Sequence, residues 1–328
     1  MLEPMIAVEG LRKRFGSVEA VAGISFHVGH GELFGFLGPN GAGKTTTINM
    51  LTGLARPDAG SIRIAGTDCS RNPKAAQHLI GVVPDESNLY PELSGFQNLC
   101  FCGALYGLSK RERERRAWEL LEAFDLMEAA HRKFAGYSKG MKRKLTLAAG
   151  ILHKPAILFL DEPTTGIDVA SARHVRRLVA DLHRSGTTVF LTTHYIEEAE
   201  RLCQRIAFIV SGRIVRTDTV SELLQPLHDR FVLHVTCAQE PPARVLESLS
   251  ALDPSLHPSL KNGGRIRVEA AHPIRVGPLV RILEEHGIDV LEARLGRPSL
   301  EDVFVAVTGL AAEALKKEKE KPGGGSAP

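Results

Sequence analysis

Several things are scarce in this 328-residue chain. No apolar run approaches the roughly 18 to 20 residues needed to span a bilayer, which argues against a membrane-spanning subunit. The start, Met1-Leu2-Glu3-Pro4, lacks the basic and then apolar pattern of a signal peptide, so a soluble, cytoplasmic protein is expected. Charge of one sign is missing too. The 41 Lys and Arg residues against 38 Asp and Glu leave a net charge of +3, too mild to imply a nucleic-acid partner. Cysteines number five, an odd count without an export signal, and are read as reduced packing residues. The one close pair, in Cys100-Phe101-Cys102, has no second Cys/His pair at the spacing zinc requires. There is also no internal repeat of roughly 20 to 50 residues.

What is present is ordinary in bulk and specific in detail. A hydrophobic fraction of 43% and a charged fraction of 24% exclude a wholly disordered, collagen-like or coiled-coil chain. At roughly 150 residues per domain the length suggests about two domains. Short apolar or alternating segments at 5–9, 18–28 and 32–37 read as β-structure, and 60–66 as part of a second β-pair. Ser109 opens an amphipathic helix carrying Trp118, Leu120, Leu121, Phe124 and Leu126. Its mixed-sign run 111–116 is a solvated face rather than a basic patch. Apolar runs at 156–160, 188–192 and 206–210 alternate with helical segments, the pattern of a parallel sheet in an α/β domain. That pattern stops between Asp218 and Leu227. Residues 228–310 then read as a small α+β domain, and the Lys/Glu-rich and Gly-rich residues 311–328 as a disordered tail.

Three segments carry chemistry. Gly38-Pro39-Asn40-Gly41-Ala42-Gly43-Lys44-Thr45 fits G-x-x-x-x-G-K-[ST] throughout, with an apolar strand before it and a helix beginning near Lys44. Such a loop wraps phosphates with backbone N–H groups, and its glycines permit the close approach. The helix N-terminus adds a favourable field. Lys44 is expected on the β/γ-phosphates and the Thr45 hydroxyl on Mg²⁺, with Thr46 completing the ATP-binding set. The apolar run 156–160 delivers Asp161-Glu162-Pro163 at its carboxyl end, where ligands bind in open α/β sheets. Asp161 is placed on the metal and Glu162 on the attacking water. A third strand, 188–192, ends at Thr193-His194, which makes His194 a γ-phosphate contact.

In this order and spacing the segments resemble the ATP-binding cassette (ABC) ATPases, over about residues 5–224. Further residues match family positions. Phe15 falls where an aromatic stacks on adenine, Tyr137-Ser138-Lys139-Gly140-Met141 on the signature motif, and Thr165-Gly166-Ile167-Asp168 on the D-loop. The resemblance implies an α/β P-loop NTPase with a parallel core sheet, an antiparallel β subdomain and a helical subdomain. It also implies ATP and Mg²⁺ as cofactors and a head-to-tail dimer, homomeric or heteromeric, in which Ser138 and Gly140 meet the ATP of the other protomer. The signature helix is expected to present free N–H groups with nothing in the same chain to bind. Two positions depart from the family pattern. Asp85 stands where the family has a metal-ligating glutamine, and Lys139 and Met141 replace commoner signature residues.

The signature variant, the single cassette and the ending Pro298-Ser299-Leu300-Glu301-Asp302-Val303-Phe304 resemble a bacterial branch that exports drugs, antibiotics or polysaccharides. This implies a separate membrane permease and residence on the cytoplasmic face of the cell membrane, with no nucleic-acid partner. The apolar segments 89–91 and 96–105 suit either packing on a permease or an ordinary helical core. A soluble ABC ATPase acting on a protein or nucleic-acid assembly is the alternative, but the chain has no coiled-coil insertion, zinc hook or basic stripe.

Overall fold

In the computed structural model, residues 3–227, 230–261, 263–296 and 299–310 are described. The described residues form two compact units, one of residues 3–219 together with Leu310 and one spanning Val220–Gly309. The elements of the first run β1 (Ile6–Phe15), β2 (Val18–Val28), β3 (Leu33–Leu37), α1 (Lys44–Leu51), β4 (Ala59–Ile64), β5 (Thr67–Asp68), β6 (Ile80–Val83), α2 (Gly95–Leu105), α3 (Lys110–Ala123), α4 (Lys139–Ile151), β7 (Ile157–Asp161), α5 (Val169–Arg184), β8 (Thr188–Thr193), α6 (Ile196–Leu202), β9 (Arg205–Val210) and β10 (Arg213–Thr219).

Every residue of β3, β7 and β8 is buried, because helices and a second sheet cover both faces. They lie at the centre of a six-stranded sheet of order β10-β9-β3-β8-β7-β6. Neighbours from β9 to β6 are parallel, and only the β9–β10 pair is antiparallel. A four-stranded antiparallel sheet, β2-β1-β4-β5, forms the second layer. Phenylalanines join the layers. The ring of Phe190 on β8 lies 5.5–5.8 Å from those of Phe26, Phe34, Phe36 and Phe159, distances at which tilted and offset aromatic pairs attract.

Helices α2, α3 and α4 pack together as the helical part, with Phe96 stacked on Trp118 at 4.6 Å. Ser94 with Gln97 and Ser109 with Glu112 form capping boxes that start α2 and α3. The five cysteines are free, as read from the sequence. No helix among the described residues is long and apolar enough to cross a membrane.

The second unit contains α7 (Val220–Leu224), β11 (Phe231–Cys237), α8 (Ala243–Leu252), β12 (His257–Lys261), β13 (Arg265–Ala270), α9 (Val276–Glu285), β14 (Val290–Gly296) and α10 (Leu300–Thr308). It begins at Val220 rather than after Leu227 because α7 packs against α10. Its antiparallel sheet has the order β12-β13-β11-β14. Leu233, Val235, Ile266 and Val268 pack with Val245 and Leu249 of α8 and Leu279 and Leu283 of α9. Arg267 pairs with Asp302 of α10 at 2.7 Å. The expected tail, 311–328, lies outside the described residues.

Candidate functional site

The loop between β3 and α1 is shaped by a glycine that no other residue can replace without strain. Gly43 has φ +102°, and a Cβ there would stand 2.4 Å from the Ala20 carbonyl oxygen on β2. That approach lets α1 start at Lys44 with no side-chain cap on its first N–H groups, the donors that bind anions at helix ends. Lys44 folds back under the loop, 5% exposed, and its Nζ donates to the carbonyls of Gly38 (2.7 Å) and Pro39 (3.2 Å).

Sheet register sets the depth of the other groups. Leu37 at the end of β3 lies opposite Thr193, and Asp161 at the end of β7 lies opposite Thr192. Thr192 Oγ1 donates to Asp161 Oδ1 and so fixes that carboxylate. The next residue, Glu162, has φ +50°, a conformation costing about 1–3 kcal/mol in a non-glycine residue. The turn aims its carboxylate across the sheet end. Oε1 lies 3.1 Å from Lys44 Nζ, and Oε2 lies 2.7 Å from His194 Nδ1 and accepts from Thr165 Oγ1 at 3.2 Å. Burial pushes the Glu162 carboxyl up, but the His194 hydrogen bond and the Lys44 charge outweigh it and hold the group below its ordinary value.

These groups open into a cavity of about 960 Å³ lined by Asn40, Gly41, Gly43, Lys44, Thr45 and Thr46 from the loop, with Asp85, Glu162 and His194. Gly38 and Pro39 contribute through their carbonyls, and Ala42 closes a turn by donating its N–H to Pro39 O at 3.2 Å. Asp161 lies beneath, 3% exposed. Phe15 stands outside the lining, 55% exposed with Lys13 over its ring, but its partner across the β1–β2 hairpin, Val18, is part of the wall. Burial and the charge of Asp161 both push the Asp85 carboxyl up, with Arg143 opposing them. A divalent cation relieves such repulsion. Among the described residues no three His, Cys, Asp or Glu side chains cluster to hold a metal by themselves.

Thr165, Gly166 and Ile167 of the D-loop share this lining, whereas Asp168 and the signature residues do not. Ser138 caps α4 and accepts the Met141 N–H at 3.2 Å, so part of that helix end is satisfied within the chain, contrary to the expectation of wholly free N–H groups. Asp168 caps α5, accepting from Ser171 N at 2.9 Å and Ser171 Oγ at 2.6 Å. A Cβ on Gly140 would meet Ser171 Oγ at 2.4 Å, so the missing side chain is what lets the two helix starts touch.

The family model described as ABC transporter matches residues 21–165. The linearmycin resistance ATP-binding protein LnrL of Bacillus subtilis is 39% identical over 312 residues, covering 93% of this chain and 98% of its own. The chain belongs to the ABC transporter family of ATP-binding proteins. The doxorubicin resistance ATP-binding protein DrrA of Mycobacterium tuberculosis is also 39% identical, over 94% of this chain and 95% of its own. The Nod factor export ATP-binding protein I of Ralstonia nicotianae is 38% identical over 93% and 94%. Among solved structures, an ATP-binding subunit of an ABC transporter superposes with a TM-score of 0.62 at 30% identity, covering 68% of this chain and 92% of its own. A dimeric cassette, MJ0796, in a post-hydrolysis state with ADP and Pi gives 0.62 at 25% identity, over 66% and 99%. This ABC protein is thus an ATP hydrolase with the fold expected from its sequence.

In this ABC ATPase the sequence motifs did not reveal Arg143, Thr192, Val18, Glu19, Ala20, Tyr195 or Ser211. Arg143 is the most consequential. It is 6% exposed on α4, and its guanidinium donates to the carbonyls of Pro163 (2.7 Å), Asp161 (2.7 Å), Asp85 (3.1 Å) and Pro84. One side chain therefore ties the strand end bearing Asp161 to the segment bearing Asp85. The available signal was a cation on the buried face of an amphipathic helix, one turn before Leu147. Lys44→Ala removes the one lysine that lines the cavity among the described residues and is expected to weaken ATP binding about tenfold to a hundredfold, as loss of a charge-assisted contact does. Equilibrium titration with a fluorescent ATP analogue checks this, and an unchanged affinity counts against the loop as the phosphate site.

Proposed function

We propose that the chain is the ATP-hydrolysing subunit of an exporter, coupling ATP-driven dimer closure to a separate membrane permease at the cytoplasmic face of the membrane. The observation that carries the reading is the convergence of Lys44, Glu162 and His194 within hydrogen-bonding distance at the ends of three strands. The names of the full-length relatives, resistance proteins for linearmycin and doxorubicin and a Nod factor exporter, favour export as the direction.

In this reading the loop amides and Lys44 hold the β- and γ-phosphates, and the exposed ring of Phe15 offers a stacking face for adenine. Thr45, Asp161 and Asp85 are the residues that would hold Mg²⁺, which supplies charge neutralisation at the phosphates. Glu162 is ionised at neutral pH and orients the attacking water, while His194 holds that carboxylate in place and reaches the γ-phosphate. Ser138 and Gly140, with Asp168 beside them, complete the site of a second protomer, homomeric or heteromeric. Exposed aromatics on the helical part, Tyr90 against Phe101 at 5.0 Å with Leu105 and Tyr106 nearby in sequence, offer an apolar surface for the permease. The smaller unit serves as an accessory domain.

The test is to purify the Glu162→Gln chain with ATP from detergent-solubilised native membranes. A stoichiometric integral membrane protein is the expected companion. Recovery of a ribosome, DNA or a soluble assembly in its place overturns the transporter reading and leaves the ATPase chemistry standing.

A further inference from the structure

The two edges of the second unit's sheet differ in a way that points to a partner. Strand β12 carries Pro258 and Lys261, two devices by which proteins close a sheet edge against further pairing. Among the described residues strand β14 pairs only with β11, and it has neither proline nor lysine. It exposes Leu291 and Leu295 by 68% and 54% instead. A strand edge presents a row of backbone N–H and C=O groups ready to pair with another strand.

The sequence of β14, Val290-Leu291-Glu292-Ala293-Arg294-Leu295-Gly296, selects the partner. Read in opposite directions about Ala293, it is complementary to itself. An antiparallel pairing with a two-fold axis at Ala293 sets Glu292 opposite Arg294 of the second copy and Arg294 opposite Glu292 of the second copy. Leu291 and Leu295 fall opposite each other in the same register. Centring the pair on Glu292 or on Arg294 instead brings like charges face to face, which is unfavourable. Glu292 and Arg294 are both exposed on β14 opposite Thr236 and His234 of β11, so they share a face of the sheet. Among the described residues neither forms a salt bridge within the chain.

We propose that β14 docks on β14 of a second copy of this chain, antiparallel and centred on Ala293. The two four-stranded sheets then form one continuous sheet. The contact does not involve the nucleotide site and so holds two chains together in the absence of ATP.

The test is the assembly state of the full-length, nucleotide-free chain by sedimentation velocity at micromolar concentrations. The wild-type chain is expected to dimerise. Glu292→Arg and Arg294→Glu are each expected to weaken the dimer by roughly tenfold, because each sets like charges opposite twice. The double variant Glu292→Arg/Arg294→Glu restores opposite charges and is expected to recover wild-type association. Basal ATPase activity serves as the folding control, since neither residue lies in the site. Ala293→Cys provides a second readout, an oxidised dimer linked across the axis that the wild-type chain with its five native cysteines does not form. A nucleotide-free chain that stays monomeric overturns the proposal. So does a dimer insensitive to the single charge changes, or a double variant that folds and hydrolyses ATP but does not reassociate. Because ATP is left out, the catalytic assignment and this contact fail or hold separately.

Discussion

Glu162→Gln binds ATP as the wild-type chain does and turns it over about a hundredfold to ten-thousandfold more slowly, the range expected when a general base is lost. The amide keeps the size of the carboxylate and can still meet His194 and Thr165, so the cavity survives. What disappears is the negative charge that Lys44 and His194 hold ionised. Phosphate release read beside equilibrium nucleotide binding separates the two effects, and a fast-hydrolysing variant removes Glu162 from the role. The same carboxylate leaves a signature in stability. Its folded pKa lies below the unfolded value of about 4.3, so its contribution is complete above that value and is lost as pH falls through the folded pKa. Acid unfolding of wild type should be steeper across that window than that of the glutamine variant.

Arg143→Ala has the largest expected effect on folding, about 3 kcal/mol or more. Its guanidinium is buried and donates to four backbone carbonyls, and those acceptors remain in place when the side chain is cut away. Hydrogen bonds to charged groups contribute about 1.5–3 kcal/mol each, and a buried group left without a partner costs about 1–3 kcal/mol. Lysine does not substitute, because one ammonium cannot span the directions that the planar fork reaches. Arg143→Lys should therefore recover little of the loss. Urea denaturation gives the stability change, and ATPase assays at temperatures where the variants are folded give the rest. A midpoint close to wild type with normal turnover shows that the four contacts carry little of the stability.

Legibility in the sequence followed how local each requirement is. Gly43 and Lys44 were readable because one short loop must satisfy backbone geometry and charge together. Glu162 and His194 were readable because each follows an apolar run that ends at the same edge of the sheet. Arg143 and Thr192 act on groups 18 to 59 residues away, and nothing in their own neighbourhoods announces that. In the fold, the capping serine of α3 marked its start, whereas its end fell at Ala123 rather than among the later apolar residues through Leu126. Asp125, with φ +55°, has already left the helix. Strand β6 passed unrecognised because four residues containing Gly81 carry almost no alternation. Strand β12 was hidden by Pro258, a residue that strands tolerate at an open edge.

The pairing of β3, β7 and β8 sets a limit on inheritance. Leu37 meets Thr193 and Asp161 meets Thr192, so the phosphate loop, the acidic pair and the histidine emerge from the sheet at matched heights. Deleting one residue from any of these strands turns alternate side chains to the opposite face and draws one group out of line with the other two. The three strands can therefore accept substitutions but not changes of length. A lineage adapting such a chain to a new cargo must write its insertions elsewhere, and the part that spends ATP is copied forward at fixed length.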